Sequence, residues 1–597
     1  MTQTTVPPQP PGPPPQGRPA GRRPVAPWAS EAGRSLCAGV YLDPVFRHQV
    51  IDELYVHEER VVAPSYGVDA ARVLAHALRA RRSELGWAVG VLLTWLLAWK
   101  LTAGLFVWDL LLPCLLLSLA AGIAKPRKGP AGTRVLAAVV RFYGRLLLVL
   151  ALVGQVVSIW VRGHRERQDN GVLRTFWDVS SFVDVQERLM SEQWRFEFFR
   201  DIDGSGLQSG WGVLLFFTVL ALLAGLQRGQ FARMMAAELS PQKYPDPKND
   251  PAEKAAGLRF AKVQRWIRNE QFSAVVLYGT AKPFCGAGLP FKVWNLSVEL
   301  RPRTDLEDRE PAPLDNERVL EHVVPLVEAL RVPSPRRRPQ AAATVLDRLR
   351  ELVVDECVFL PVAGLRDRYE VPCEPDDFQE HRTAAIEEGG EKRRHFLRIR
   401  VGGWDEDVVV TVFVRVHTQG GMLMLEVAPH VLMPVREAYR EADGIAQRYR
   451  NNSRFGKVVW AVGHAPRSLT TSVATLGRGV VSLWQVLTAG HGGARPEGPR
   501  QAVRELATDL DSSLFQDMDV VRYLKTIEDR VTGGVKVALH EAGWQTGEFE
   551  QKIVNVGSGA TYVGEVHDSA VNFGEQGSAT VENKNKGKPK RSSGGKQ

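Results

Sequence analysis

Few residues in this chain combine a type and a spacing that do chemistry. Asp355-Glu356-Cys357 sets two acids beside a thiol, but no paired base can be named for it from the sequence. His57-Glu58-Glu59 lies outside any metal pattern. His395 and His417 fall in strand-like runs, where a histidine is more often structural than a ligand. H-E-x-x-H, G-x-S-x-G and spaced Cys/His clusters are all missing, as are the P-loop and dinucleotide fingerprints. Residues 279–288 (GTAKPFCGAG) have the glycines of a phosphate cradle but the wrong spacing, and a strand rather than a helix follows at 291–300. Gly279, Pro283, Phe284, Gly286, Gly288 and Trp294 are therefore read first as a tight turn that needs positive φ, with a ligand-binding turn as the lesser reading. No catalytic, cofactor or metal residue is assigned, and the balance favours a non-enzymatic protein. The five cysteines, Cys37, Cys114, Cys285, Cys357 and Cys373, are scattered, which suits neither a zinc site nor a disulfide framework and fits reducing cytosol.

The only acid inside a long apolar run is Asp109, and intramembrane acids often mark ion paths. Its setting decides otherwise. Residues 85–124 form an apolar stretch of about forty residues, twice what one helix needs to cross a bilayer, in which only Lys100 and Asp109 are charged. The stretch is read as two spans, 85–99 and 105–124, joined by a turn at 100–104. Lys100 then lies in the turn, Asp109 near its interface, and Pro113 at a kink. Further spans are expected at 139–161, with Arg141 and Arg145 snorkelling, and at 211–227. An even number of spans puts Arg79, Arg81 and Arg82, the loop Lys125, Arg127, Lys128 and Arg134, and Arg228 and Arg233 all on one side, the cytoplasmic one. Arg162, Arg165 and Arg167 run against that assignment, though acids outnumber bases over the loop 162–210 as a whole.

The overall apolar fraction of 44% is ordinary, so the membrane signal comes from clustering. The expected fold is an α-helical membrane bundle of about four spans plus a cytoplasmic α+β domain, with disordered termini. Residues 1–30 are a proline-rich disordered tail without an apolar signal segment, and 31–83 a small helical region. Residues 84–227 are the membrane domain, with 162–210 external and containing an amphipathic aromatic segment, and 228–255 a polar linker. The α+β domain spans 256–445: strands at 272–278 and 291–300, helices at 316–330 and 341–353, and a three-stranded meander within 391–431. A helical region at 446–550 includes an amphipathic helix at 467–487 that packs on the domain or lies on the membrane. Residues 551–582 are glycine-punctuated and β-prone, and 583–597 a basic disordered tail.

In the β-prone stretch Val554-Asn555-Val556-Gly557 recurs as Val571-Asn572-Phe573-Gly574. The words resemble the short V-Q/N-V-G cores of amyloid-forming signalling motifs in bacterial and animal cell-death proteins, a resemblance that implies templated self-association or recruitment of a protein partner. The bland alternative is a low-complexity tail. Leu42-Asp43-Pro44 with Ala63-Pro64-Ser65, Tyr278-Gly279 with Pro283-Phe284, Gly286-Ala287-Gly288, Trp294, Trp404, Pro434 and Tyr439 carry a further resemblance. Over most of its length outside the termini, the chain is similar to an uncharacterised family of multi-pass membrane proteins from high-GC Gram-positive bacteria. That similarity implies architecture and no activity. The resulting expectation is a multi-pass protein of a bacterial inner membrane, both termini cytoplasmic, acting as a sensor, scaffold or effector. A self-assembling signalling or defence effector and a transporter or channel component are the alternatives. The lipid bilayer is the expected partner, and nucleic acid is disfavoured despite the net charge of +9.

Overall fold

A computed structural model describes residues 26–559 apart from 124–130, 169–209, 248–249, 255–256, 306–309, 332–348, 350, 388–389, 405–406, 489–493 and 510–511. The expectations for residues 1–25 and the C-terminal tail, the 162–210 segment beyond Gln168, most of the 341–353 helix, and the second V-N-x-G word lie outside the described residues. The last residues of the expected disordered tail are ordered instead: Pro27–Ala29 form a short 3-10 helix and Ser30 caps the helix that follows.

In chain order the first helices are α1 (Glu31–Leu42) and α2 (Pro44–Ile51). Asp43 sits between them and starts α2, its carboxylate accepting from the Val45 amide, with Pro44 at the first helical position. Four helices follow that are long and apolar enough to cross a membrane: α3 (Ala70–Leu101), α4 (Leu105–Ile123), α5 (Ala131–Gln168) and α6 (Gly210–Ala237). The turn is shorter than expected. Lys100 belongs to the last turn of α3, and the reversal is made by Thr102, Ala103 (φ 51°) and Gly104 (φ 89°). The Thr102 hydroxyl donates to the Ala98 carbonyl and accepts from the Phe106 amide, which ties both helices to the turn. Asp109 and Pro113 both lie inside α4.

Helices α3 and α6 also extend well beyond their apolar runs. Their polar ends enter a helical core of α1, α2, the start of α3, the end of α6 and α7 (Leu258–Gln271), to which Tyr439, Ala446 and Ala507 are added from far along the chain. The stretch read as a polar linker is part of this core: Leu239, Tyr244 and Ala252 are buried in it. Its polar residues are polar because they pair inside. Asp250 accepts from Arg72 Nε (2.7 Å), and the Arg72 guanidinium stacks 3.8 Å from the Tyr244 ring.

The second core is a mixed sheet. Its strands are β1 (Val275–Tyr278), β2 (Leu289–Pro290), β3 (Trp294–Glu299), β4 (Val353–Pro361), β5 (Arg394–Gly403), β6 (Val408–Gln419) and β7 (Met422–Leu432). The order is β1-β4-β5-β6-β7-β2, with β3 also on β7, and only β1–β4 is parallel. The meander appears where expected, but β4 replaces the end of the expected 341–353 helix. Strand β6 reads as a nearly unbroken apolar run because both faces are covered. Val410, Val412 and Val414 pack under α8 (Asn316–Glu328) and α13 (Leu514–Glu541), while Val409 and Phe413 face Phe284, Phe359 and Phe396.

Between these lie α9 (Pro375–Glu387), α10 (Ala442–Asn451), α11 (Arg454–His464) and α12 (Ser468–Thr488); α14 (Gly547–Gly559) closes the described chain. Val554, Asn555, Val556 and Gly557 therefore stand in a helix, not in the β-structure expected of them.

His430 on β7 stacks 4.6 Å from Phe284 and is buried, which pushes its imidazole down to about 4. The unfolded chain takes up that proton near 6.5, so this contribution is complete above 6.5 and is lost as pH falls from 6.5 towards 4. Thermal melting across that window is expected to fall more steeply for the wild type than for His430→Phe; parallel profiles would contradict it.

Candidate functional site

The residues singled out for chemistry are placed apart. On β4, Glu356 and Cys357 point to opposite faces, as successive strand residues must. Glu356 accepts from His395 Nε2 (2.9 Å) and from Arg382, a cross-strand cluster. Burial pushes Glu356 up, but the hydrogen bonds from His395 and Arg382 outweigh it and hold the carboxyl at about 2. Cys357 is fully buried on the other face, its thiol donating towards the Phe396 carbonyl (3.7 Å). Acid and thiol do not share a site. His57 pairs with Glu59 (2.6 Å) and His417 meets Gln419 on the surface. Among the described residues no group of three His, Cys, Asp or Glu could hold a metal ion.

The glycine-rich turn leads from β1 to β2. Gly286 (φ 98°) and Gly288 (φ 94°) take the left-handed backbone the sequence called for. Both amides donate to Glu505 Oε1, at 2.8 and 3.1 Å, and the Ala502 amide donates to Oε2 (3.2 Å). The anion-binding concavity of this turn is thus filled by the chain's own carboxylate, which fixes residues 502–505 against the sheet. Phe284 is driven into the aromatic cluster, 4.8 Å from Phe413, and the Trp294 indole donates to Glu528 (3.1 Å). Pro283 lies in the turn directly before Phe284.

At the open side of the turn is a cavity of about 780 Å³. Gly279 touches Gly498 along its floor, so closely that a side chain on Gly498 would overlap the Gly279 backbone. Its walls carry Glu53, Arg60, Lys282, Glu497 and Arg500. Most of that charge is already spent: Arg60 pairs with Glu53 (2.8 Å), and Glu53 also accepts from the Arg500 amide (2.9 Å). The cavity has no described nucleophile held by a base and reads as a seam between the helical core and the sheet.

In the bundle, Asp109 has a partner that sequence reasoning missed. Gln155 Nε2 of α5 donates to its carboxylate (2.6 Å), so Asp109 links α4 to α5. No local pattern signals a pair 46 positions apart.

Residues 293–570 match the family model of an AbeC-like domain. The match begins just before β3 and takes in the meander, α8 to α14 and the first V-N-V-G word; it leaves out the four long apolar helices, β1 and β2. No curated protein and no solved structure matches the chain.

Proposed function

We propose that this is a four-span membrane-anchored sensor or scaffold, non-enzymatic, with both termini and the α+β region on the cytoplasmic side of a bacterial inner membrane. The observation that carries this reading is continuity. Helices α3 and α6 each pass without interruption from the apolar bundle into the helical core, where Arg79 on α3 holds Glu238, the residue directly after α6 (2.9 Å). A helix is stiff on this scale, so a tilt or rotation of the bundle is transmitted to the core and from it to the sheet.

Three features support the bilayer. The bundle leaves a broad apolar surface open, including Leu112, Leu150 and Leu222, each more than half exposed, far beyond what a water-facing surface tolerates. Trp99, Trp108, Trp160 and Trp211 collect at its turn end, where an aromatic belt belongs. Helix α12 is inverted: Ser472, Thr475 and Ser482 are buried against its neighbours, while Val480, Leu483, Trp484 and Leu487 face outward. Small polar residues inward and large apolar ones outward suit lipid rather than water.

Topology is tested by cysteine labelling of intact expressing cells. A membrane-impermeant maleimide is expected to modify Lys100→Cys at the turn end and to spare Gln419→Cys on the β6–β7 hairpin until the cells are lysed. Labelling of Gln419→Cys before lysis would overturn the orientation, and extraction of the chain by alkaline carbonate would overturn the anchor.

A further inference from the structure

Three arginines with no acidic partner among the described residues converge where α4, α5 and the α11–α12 turn meet. Gly144 of α5 packs on Leu116 and Leu117 of α4, closely enough that a Cβ there would lie 3.0 Å from Leu117. That contact seats the α5 turn bearing Arg141 and Arg145 on this part of α4. One residue further along α4, Ser118 accepts a hydrogen bond from the Thr470 hydroxyl (2.7 Å), and Thr470 also bonds back to the Arg467 carbonyl (3.3 Å). Arg467, at the tip of the α11–α12 hairpin, is thereby brought to the same turn of α4.

Among the described residues no carboxylate pairs with any of the three, and Arg141 Nε is buried without a hydrogen-bond partner. Burial, followed by the like charges of Arg141 and Arg145, holds the Arg467 guanidinium below its ordinary range. Gathering three cations in this way is unfavourable unless an anion stands between them. Exposed apolar residues flank the cluster along α5, Val135, Leu136 and Val139 before it and Phe142, Leu146, Val149 and Leu150 from it onward. The longer face, from Leu146 onward, offers acyl chains a surface, and long arginine side chains reach from such a position towards the phosphate level. Guanidinium forks match phosphate oxygens two at a time.

We propose that Arg141, Arg145 and Arg467 form a binding site for the phosphate of an anionic phospholipid of the cytoplasmic leaflet, its acyl chains lying along the exposed face of α5. This rests on the bilayer reading above. The bound lipid ties the α11–α12 hairpin, which belongs to the AbeC-like match, to the bundle, and so makes the placement of that hairpin depend on lipid composition.

The test uses the full chain in detergent with fluorescent phosphatidylglycerol and phosphatidylcholine, with inorganic phosphate as competitor. Phosphatidylglycerol is expected to bind preferentially, Arg467→Gln to weaken it about fivefold, as one interfacial cation should, and Arg141→Gln/Arg145→Gln to weaken it further. Arg467→Lys, which keeps the charge but not the fork, should bind better than Arg467→Gln and less well than the wild type, an order that a purely structural role would not require. Each variant is checked for unchanged melting in phosphatidylcholine; if the double variant melts early, Arg467→Gln and Arg467→Lys carry the test. Equal binding of the two lipids, or Arg467→Gln binding like the wild type, would overturn the site. Displacement by millimolar phosphate would assign it to free phosphate and overturn the lipid. Carbonate extraction of membranes from the expressing cells separates the two readings: a chain that stays with the membrane but does not discriminate between lipids loses only this site.

Discussion

Asp250→Ala is expected to destabilise the protein by about 3–5 kcal/mol, because it strips a buried arginine of its counter-charge. Arg72 and Asp250 have side chains only 2% exposed. The carboxylate accepts from Arg72 Nε (2.7 Å), from His76 Nε2 (3.1 Å) and from the Ala252 amide (2.9 Å). Nη1 of the guanidinium donates to the carbonyls of Trp28 and Tyr244. Burial alone would raise the Asp250 carboxyl; the His76 and Ala252 hydrogen bonds and Arg72 outweigh it and hold it below the usual range. A depressed carboxyl contributes stability that is full above its ordinary value of 3.8 and is lost as pH falls below it. Asp250→Ala is therefore expected to melt well below the wild type at neutral pH, with the difference shrinking in acid. Amide exchange should rise first in residues 239–252, which this pair fastens to α3. Unchanged melting at neutral pH would mean that the pair does not hold the two segments together.

Gly288→Ala is expected to cost about 2–5 kcal/mol, adding a left-handed backbone penalty to an overpacking penalty. At φ 94° a Cβ would stand 2.3 Å from the Val431 carbonyl oxygen and 2.7 Å from Leu432 Cα, and neither backbone atom can step aside without breaking the β2–β7 pairing. Gly420 is the control. It also has a positive φ, 60°, but nothing lies within 4 Å of its Cβ position, so Gly420→Ala should cost only the backbone share, about 1–2 kcal/mol. Equal melting of the two variants would show that the close approach at Gly288 carries no energy.

What the sequence made legible follows the reach of each physical signal. Apolar runs mark the four long helices because composition is local, and the pair Gly420-Gly421 marks the β6–β7 hairpin because its turn needs positive φ at both; Gly402 and Gly403 end β5 instead. The unbroken run of α3 from the helical region into its apolar span, and of α6 beyond its own, was hidden because alanine, arginine and glutamate continue a helix as readily as leucine does. Strand β4 went unrecognised because Asp355 and Glu356 break its apolar pattern; their partners, Arg398 and His395, come from β5. Asp250 looked like linker for the same reason, its arginine being 178 positions away. In the glycine-rich turn the sequence carried the positive φ but not Glu505, which arrives from 217 positions on to occupy the amides of Gly286 and Gly288. Apart from the helix ends, these misses are polar groups whose partners are distant, and neither periodicity nor propensity records such pairs.

Amide hydrogen exchange on the full chain in lipid nanodiscs tests the central claim, that bundle and core move as one frame, most directly. Residues 78–92 of α3 and 222–237 of α6 are predicted to exchange slowly and continuously across the point where the apolar run ends, and Asp250→Ala to loosen only the lower part of each. A fast-exchanging stretch at 82–87 or 228–233, separating a protected bundle from a protected core, would contradict it.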